Sequence, residues 1–162
     1  MAPIADRPAG STDRGFELAF QIEVARPPAE VFAFLTSAEG LRAVDPALVD
    51  YGPPGPITAG GAGWFKHRRG GMTASTTWRV TAFEPPSRLD VAISGMGYGM
   101  TESAELEATT TGTKARFVDR VWPTTLAGRL LVALSGGIMR RDLRARAARL
   151  KAILEAEAPR PA

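Results

Sequence analysis

The chain has 162 residues, a net charge of +3 and no cysteine, as expected for one domain with an apolar core and no disulfide. The lack of cysteine excludes thiol catalysis and thiolate metal sites, and fits a cytoplasmic location. The dispersed positive charge predicts no nucleic-acid binding, and the absence of a run of about 18 apolar residues predicts no membrane span.

Proline, glycine and polar residues predict a disordered N-terminal tail over residues 1–15 and a C-terminal tail over 159–162. Residues 16–158 are expected to form a single domain. Alternating apolar and polar residues predict a strand over 16–24, and Pro28 with the apolar residues after it predicts a short helix. Residues 38–61 combine a possible second helical turn, over 38–44, with a proline-glycine stretch that defines no further element.

Turn signals from Trp64 onward predict a series of antiparallel hairpins. Each turn fixes the strand register, and the registers agree on one apolar face. A sheet with one apolar face must bury that face against another element, and only the last segment of the chain is long enough to cover it. The predicted pairs are Arg69 with Met72, His67 with Ala74, Phe65 with Thr76, Ala82 with Leu89, Val80 with Val91, Trp78 with Ile93, Leu106 with Ala115, Ala104 with Phe117, Glu102 with Asp119, and Met100 with Val121.

The final segment predicts a helix over 125–156, about 45 Å long. An apolar stripe, expected to face the sheet, changes phase by one residue near Gly136-Gly137, which predicts a bend or a hollow there. Arg140, Arg141, Arg144 and Arg149 are expected on the solvated face. The stripe consists of Leu126, Leu130, Leu134, Ile138, Leu143, Ala147, Leu150 and Leu154.

Four segments together resemble a known superfamily: FQIEVARPPAEVFAFL at 20–35, WRVTAFEPPSRL at 78–89, GTKARF at 112–117 and LKAILE at 150–155. They are similar to START-related (SRPBCC) proteins, and among these to the bacterial polyketide cyclase/dehydrase-like family. The resemblance implies an α+β helix-grip fold, in which a seven-stranded antiparallel sheet wraps around a long C-terminal helix and two short helices follow strand 1. The superfamily includes lipid and sterol carriers, hormone-binding proteins, cyclases and co-chaperones, so the fold alone does not assign a function.

A sheet wrapped around one helix encloses a cavity, and its apolar residues favour binding of a hydrophobic molecule of polyketide, lipid or isoprenoid type. His67 is expected at the polar rim, and Tyr98 in the glycine-rich turn at the mouth. A single histidine argues against a metal site, and no pattern predicts a cofactor. The predicted ligand-binding residues are Phe20, Phe65, His67, Val80, Trp78, Val91, Ile93, Tyr98, Met100, Phe117 and Met139.

Glu102 and Asp119 are the candidate catalytic residues, because two carboxylates in a poorly solvated cavity raise one pKa and create a general acid. This supports an alternative function as a polyketide cyclase or dehydratase. Two alternatives give the pair no catalytic role. In one, arginines neutralise the two carboxylates; in the other, a register slip of one residue turns both carboxylates toward solvent and places Arg116, Arg120 and Trp122 inside. A co-chaperone role is a third possibility. The sequence leaves the oligomeric state undetermined.

Overall fold

The computed structural model describes residues 15–69 and 71–156. Its strands form a seven-stranded antiparallel sheet in the order β1-β7-β6-β5-β4-β3-β2, covered by the long helix α3. This is the predicted α+β helix-grip fold. In chain order the elements are β1 (Phe16–Val24), α1 (Pro28–Thr36), α2 (Ala38–Val44), β2 (Leu48–Gly52), β3 (Ala62–Arg69), β4 (Met72–Glu84), β5 (Arg88–Gly95), β6 (Tyr98–Thr109), β7 (Gly112–Pro123) and α3 (Leu126–Ala156).

The hairpin registers agree with the sequence prediction at every predicted pair but one. Val80 pairs with Val91 and Glu102 with Asp119, so the slip that would turn both carboxylates outward does not occur. The exception is Ala82, which lies opposite Asp90 rather than Leu89, because a register irregularity between Val80 and Ala82 shifts the pairing by one residue. The bulge lies near the loop end of the hairpin, where Leu89 pairs with Phe83, and the pairs of Val80 and Trp78 keep the predicted register.

Local interactions explain where the helices begin. Pro28 stands in the first turn of α1, and the Ser37 hydroxyl accepts a hydrogen bond from Gly40 N (2.9 Å) at the start of α2. The Thr125 hydroxyl accepts from Gly128 N (3.0 Å) at the start of α3. A side chain at Gly128 would collide with the carbonyl oxygen of Gly97. Glycine therefore allows α3 to pack directly on the β5–β6 turn.

The prediction that the first half of the apolar stripe of α3 faces the sheet is wrong. Leu126, Leu130, Leu134 and Ile138 are exposed, and Val132, which is 1% exposed, faces the core instead. The inward face runs through Gly128, Val132, Met139, Ala147, Leu150 and Leu154. This face keeps a helical period along its whole length, so the helix continues through Gly136-Gly137 without a change of phase. The predicted second half of the stripe and the exposed arginines are as expected.

Candidate functional site

A cavity of about 460 Å³ lies between the inner face of the sheet, α2 and the middle of α3. Apolar side chains make up most of its wall, and two of them, Phe20 and Phe117, stack across β1 and β7 with ring centroids 5.0 Å apart. The wall is built from every strand and every helix, so the whole fold positions it. Its apolar lining includes Phe20, Leu35, Leu41, Val44, Leu48, Phe65, Leu89, Val91, Ile93, Met100, Phe117, Val121, Val132, Met139, Leu143 and Leu150.

Most of the predicted ligand-binding residues line this cavity. Trp78 and Val80 are not among the lining residues. Trp78 lies on the inner face of the sheet opposite Ile93 and stacks on Phe65 with ring centroids 5.4 Å apart, so it packs beside the wall. That the lining residues bind a ligand stays a prediction. Those that line the cavity are Phe20, Phe65, His67, Val91, Ile93, Tyr98, Met100, Phe117 and Met139.

The cavity opens between three segments: the β3–β4 hairpin, the β5–β6 turn and the N-terminal half of α3. Met72 and Met96 line the cavity and are nevertheless 71% and 52% exposed. Leu131 and Ile138 on α3 also line it, with 39% and 59% of their surface exposed. Residues that face both the cavity and solvent mark the mouth, and here all four are apolar.

One side of the cavity carries a polar cluster of five residues, which we call the carboxylate cluster: His67, Asp45, Arg146, Glu102 and Asp119. His67 Nε2 lies 3.3 Å from Asp45 Oδ2, and the Arg146 guanidinium contacts the same oxygen. Arg146 also donates to Glu102 Oε1 at 3.4 Å. Glu102 lies directly across the β6–β7 ladder from Asp119. His67 is thus joined to the candidate catalytic pair through Asp45 and Arg146, which sequence reasoning did not foresee.

Burial and charge shift the pKa values of the two aspartates in opposite directions. Burial, together with the nearby charge of Glu102, raises the pKa of Asp119 to about 8 against the opposing effect of Arg146. Burial also opposes ionisation of Asp45, but the hydrogen bond from His67 and the charge of Arg146 outweigh it and lower the pKa of Asp45 to about 2. At neutral pH the cluster therefore contains a proton donor, Asp119, beside ion-paired carboxylates.

Asp45 and Arg146 are the site residues that sequence reasoning missed. Asp45 follows α2 in a stretch without readable periodicity, and its Oδ1 accepts from Ala47 N (2.9 Å). Arg146 had a signal: it lies three residues after Leu143 and four before Leu150, on the predicted inward stripe of α3. An arginine on the inward stripe predicts an acidic partner inside the cavity. This agrees with the alternative, considered from sequence, that arginines neutralise Glu102 and Asp119.

The described residues hold no group of three or more His, Cys, Asp or Glu side chains arranged to bind a metal ion. The predicted absence of a metal and of a cofactor stays a prediction. Among the helices that the structure describes, none is both long and apolar enough to cross a bilayer.

Comparison with known proteins identifies the family. Residues 16–155 match the family described as polyketide cyclase / dehydrase and lipid transport. The chain belongs to this family. No curated protein matches the chain.

Solved structures with the same fold include an uncharacterised Rhizobium leguminosarum protein (18% identity, TM-score 0.72, 90% of this chain and 98% of that one). A Rhodobacter sphaeroides protein is similar over 93% of this chain and 97% of its own (25% identity, TM-score 0.68). Ara h 8.0201 aligns over 89% of this chain and its full length (14% identity, TM-score 0.69). At such identities the likeness to the first and third shows the fold alone.

Proposed function

We propose that the protein binds one hydrophobic small molecule, of polyketide, lipid or isoprenoid type, in the cavity between the sheet and α3. The observation that carries the proposal is the cavity itself, about 460 Å³ with mainly apolar walls. Volumes of about 300–1,000 Å³ are typical of sites that enclose a drug-sized ligand. The family description, which mentions lipid transport, supports the same class of ligand.

The carboxylate cluster adds a requirement for one polar group on the ligand. Asp119 is 5% exposed and carries a proton at neutral pH, because burial raises its pKa to about 8. A protonated carboxyl donates a hydrogen bond, and a buried donor without an acceptor costs about 1–3 kcal/mol. A ligand with a carbonyl or hydroxyl oxygen near Asp119 therefore fits the cavity better than a pure hydrocarbon.

The binding proposal is tested with the neutral fluorescent probe N-phenyl-1-naphthylamine. Ala74 lines the cavity and is half-buried, so Ala74→Phe fills part of it without creating a void. We expect the probe to bind the wild type at one site and Ala74→Phe to raise its Kd roughly tenfold or more, since a ring then occupies the ligand's volume.

Ala19→Phe is the matched control, because Ala19 is exposed on β1. Its Kd for the probe should equal that of the wild type. No probe binding to the folded wild type, or equal affinity in Ala74→Phe, contradicts the proposal.

A second candidate function is acid/base catalysis of dehydration or cyclisation, and the protonation of Asp119 opposite Glu102 favours it. In a dehydration, Asp119 donates its proton to a leaving hydroxyl, which departs as water. Glu102 takes a proton from the adjacent carbon, and the electron pair of that C–H bond forms the C=C bond. The proton then returns from Glu102 to Asp119, which restores the site.

Turnover of a β-hydroxy polyketide-like thioester tests this candidate. Asp119→Asn and Glu102→Gln should each lower kcat by roughly 100-fold or more while sparing probe binding. The wild-type rate should fall as pH rises above about 8, because Asp119 then loses its proton. Glu105→Gln, on the same strand but exposed, is the control. Unchanged turnover in both cavity variants leaves binding as the function.

A further inference from the structure

The N-terminal half of α3 presents an apolar surface that no other described residue covers. We call it the leucine face: Leu126, Leu130, Leu131, Leu134 and Ile138. Three of these, Leu126, Leu130 and Leu134, are 78%, 65% and 72% exposed. Single apolar residues are ordinary on protein surfaces. Here five large aliphatic side chains follow one another at helical spacing along one segment and form a contiguous apolar patch, which marks an interaction site.

The leucine face is continuous with the mouth of the cavity. Leu131 and Ile138 belong to both, since each is exposed and also lines the cavity. The exposed Met72 and Met96 lie across the opening, on the β3–β4 hairpin and the β5–β6 turn. The turn is held against the helix by the close approach of Gly97 and Gly128. The rim of the cavity and the patch outside it thus form one apolar surface.

The charges around this surface are mainly positive. The three segments that border the mouth, residues 51–83, 91–101 and 121–141, contain no aspartate or glutamate. They contain several basic residues, among which Arg68 near the hairpin and Arg140 and Arg141 at the end of the leucine face are exposed. The 17 acidic residues of the chain therefore all lie in other segments. Asp142, which follows Arg141, is the acidic residue nearest to the leucine face, and the exposed arginines outnumber it. An apolar patch with a mainly basic border is complementary to an anionic surface with an apolar interior.

We propose that the leucine face and the rim of the cavity dock on an anionic lipid bilayer, so that the mouth opens onto the membrane. The leucine and methionine side chains then enter the acyl boundary while the arginines remain at the level of the phosphates. A second copy of the chain fits the surface less well, because a symmetric interface would bring two mainly basic borders together.

Docking gives the ligand a route that avoids water. A hydrophobic molecule can move between the bilayer and the cavity along one apolar surface. This consequence rests on the proposed binding function, but docking itself does not, so the two can fail independently.

Docking is tested by sedimentation of the full chain with phosphatidylcholine vesicles and with vesicles containing phosphatidylglycerol. We expect partitioning onto the anionic vesicles, weakened by added salt. Leu130→Gln/Leu134→Gln should lower the partition coefficient at least roughly tenfold, since two exposed anchors are lost and glutamine preserves the helix. Val49→Gln is the matched control, because Val49 is an exposed apolar residue (41%) on β2. It should partition like the wild type.

Three results would overturn the proposal: no partitioning onto anionic vesicles, equal partitioning of the double variant, or a concentration-dependent dimer that the double variant abolishes. Binding of N-phenyl-1-naphthylamine in solution separates this proposal from the proposed function. The double variant should bind the probe with the wild-type Kd, because Leu130 and Leu134 do not line the cavity. If the probe binds but vesicles do not, docking fails and the cavity proposal stands.

Discussion

Arg146 forms ion pairs with two carboxylates that lie on different elements of the fold. Asp45 comes from the end of α2 and Glu102 from β6, and the guanidinium contacts both. The pKa of Arg146 is raised: burial opposes its charge, but the surrounding Glu102, Asp45 and Asp119 outweigh that effect. Its main contribution is to prevent the carboxylate of Glu102 from being left without an ion-pair partner, because an unpaired, partly buried charge costs more free energy than the ion pair contributes.

We expect Arg146→Met to lower the free energy of unfolding by about 2 kcal/mol or more at pH 7, because the aliphatic part is retained while Glu102 loses its ion pair and Asp45 keeps only His67 and Ala47 N. Urea unfolding measures the change. Arg144→Met, on the same helix at an exposed position, should change stability by less than about 0.5 kcal/mol. Equal effects of the two substitutions would show that the carboxylate cluster does not depend on Arg146.

The sequence predicts three of the five residues of the carboxylate cluster as site residues, Glu102, Asp119 and His67, but not Asp45 or Arg146. Glu102 and Asp119 are predictable because the turn after β6 fixes their register, and the period of a strand then places both on one face. Asp45 is not, because a residue after a short helix has no periodic neighbours to define its direction. The contact between His67 and Asp45 depends on how α2 packs on the sheet, a tertiary relation that no local pattern encodes.

Among the elements, α3 shows how an apolar period can mislead. Leu126, Leu130 and Leu134 recur every four residues, as a core stripe does, yet the buried side is the less conspicuous series Gly128, Val132 and Met139. Periodicity identifies residues that share a face, but not which face is covered. Gly128 faces inward because α3 contacts the β5–β6 turn so closely there that a side chain would collide with Gly97.

The two sides of α3 should respond differently to truncation. Val132→Ala should lower the free energy of unfolding by roughly 1–3 kcal/mol, because Val132 is 1% exposed and its methyl groups leave a void. Leu134→Ala, at 72% exposure, should change it by less than about 0.5 kcal/mol. Thermal or urea unfolding of both variants provides the comparison. A larger loss for Leu134→Ala would restore the stripe predicted from sequence.

The sheet is predictable from β1 (Phe16–Val24) to β3, whereas its other edge strand, β2, is not. Tight turns and alternating apolar residues define β3 to β7, and their registers follow from the turn positions. The edge strand β2 (Leu48–Gly52) has no such signal, because it is short and pairs only with β3. The bulge near Ala82 has no signal in the sequence either, because the apolar alternation does not indicate where a strand carries an extra residue.

For the molecule as a whole, the two aspartates make opposite contributions to the pH dependence of stability. The folded-state pKa of Asp45, about 2, lies below its ordinary value of 3.8, so its contribution is present above about pH 4 and is lost as pH falls toward 2. The folded-state pKa of Asp119, about 8, lies above 3.8. Between about pH 4 and pH 8 the Asp119 carboxyl is ionised in the unfolded chain but protonated in the folded protein. Asp119 therefore lowers the free energy of unfolding as pH rises from about 4 to 8.

Asp119→Asn should therefore stabilise the protein at pH 8 and have little effect at pH 4, because asparagine mimics the protonated carboxyl at every pH. The difference in free energy of unfolding between variant and wild type should grow by a few kcal/mol over this range. Urea unfolding at several pH values measures it, with the exposed Asp50→Asn as control. A constant difference would mean that Asp119 is ionised in the folded protein. Asp119 would then carry no proton for a ligand or a leaving group. The proposed hydrogen bond from Asp119 to a ligand oxygen and the acid/base mechanism would both be contradicted.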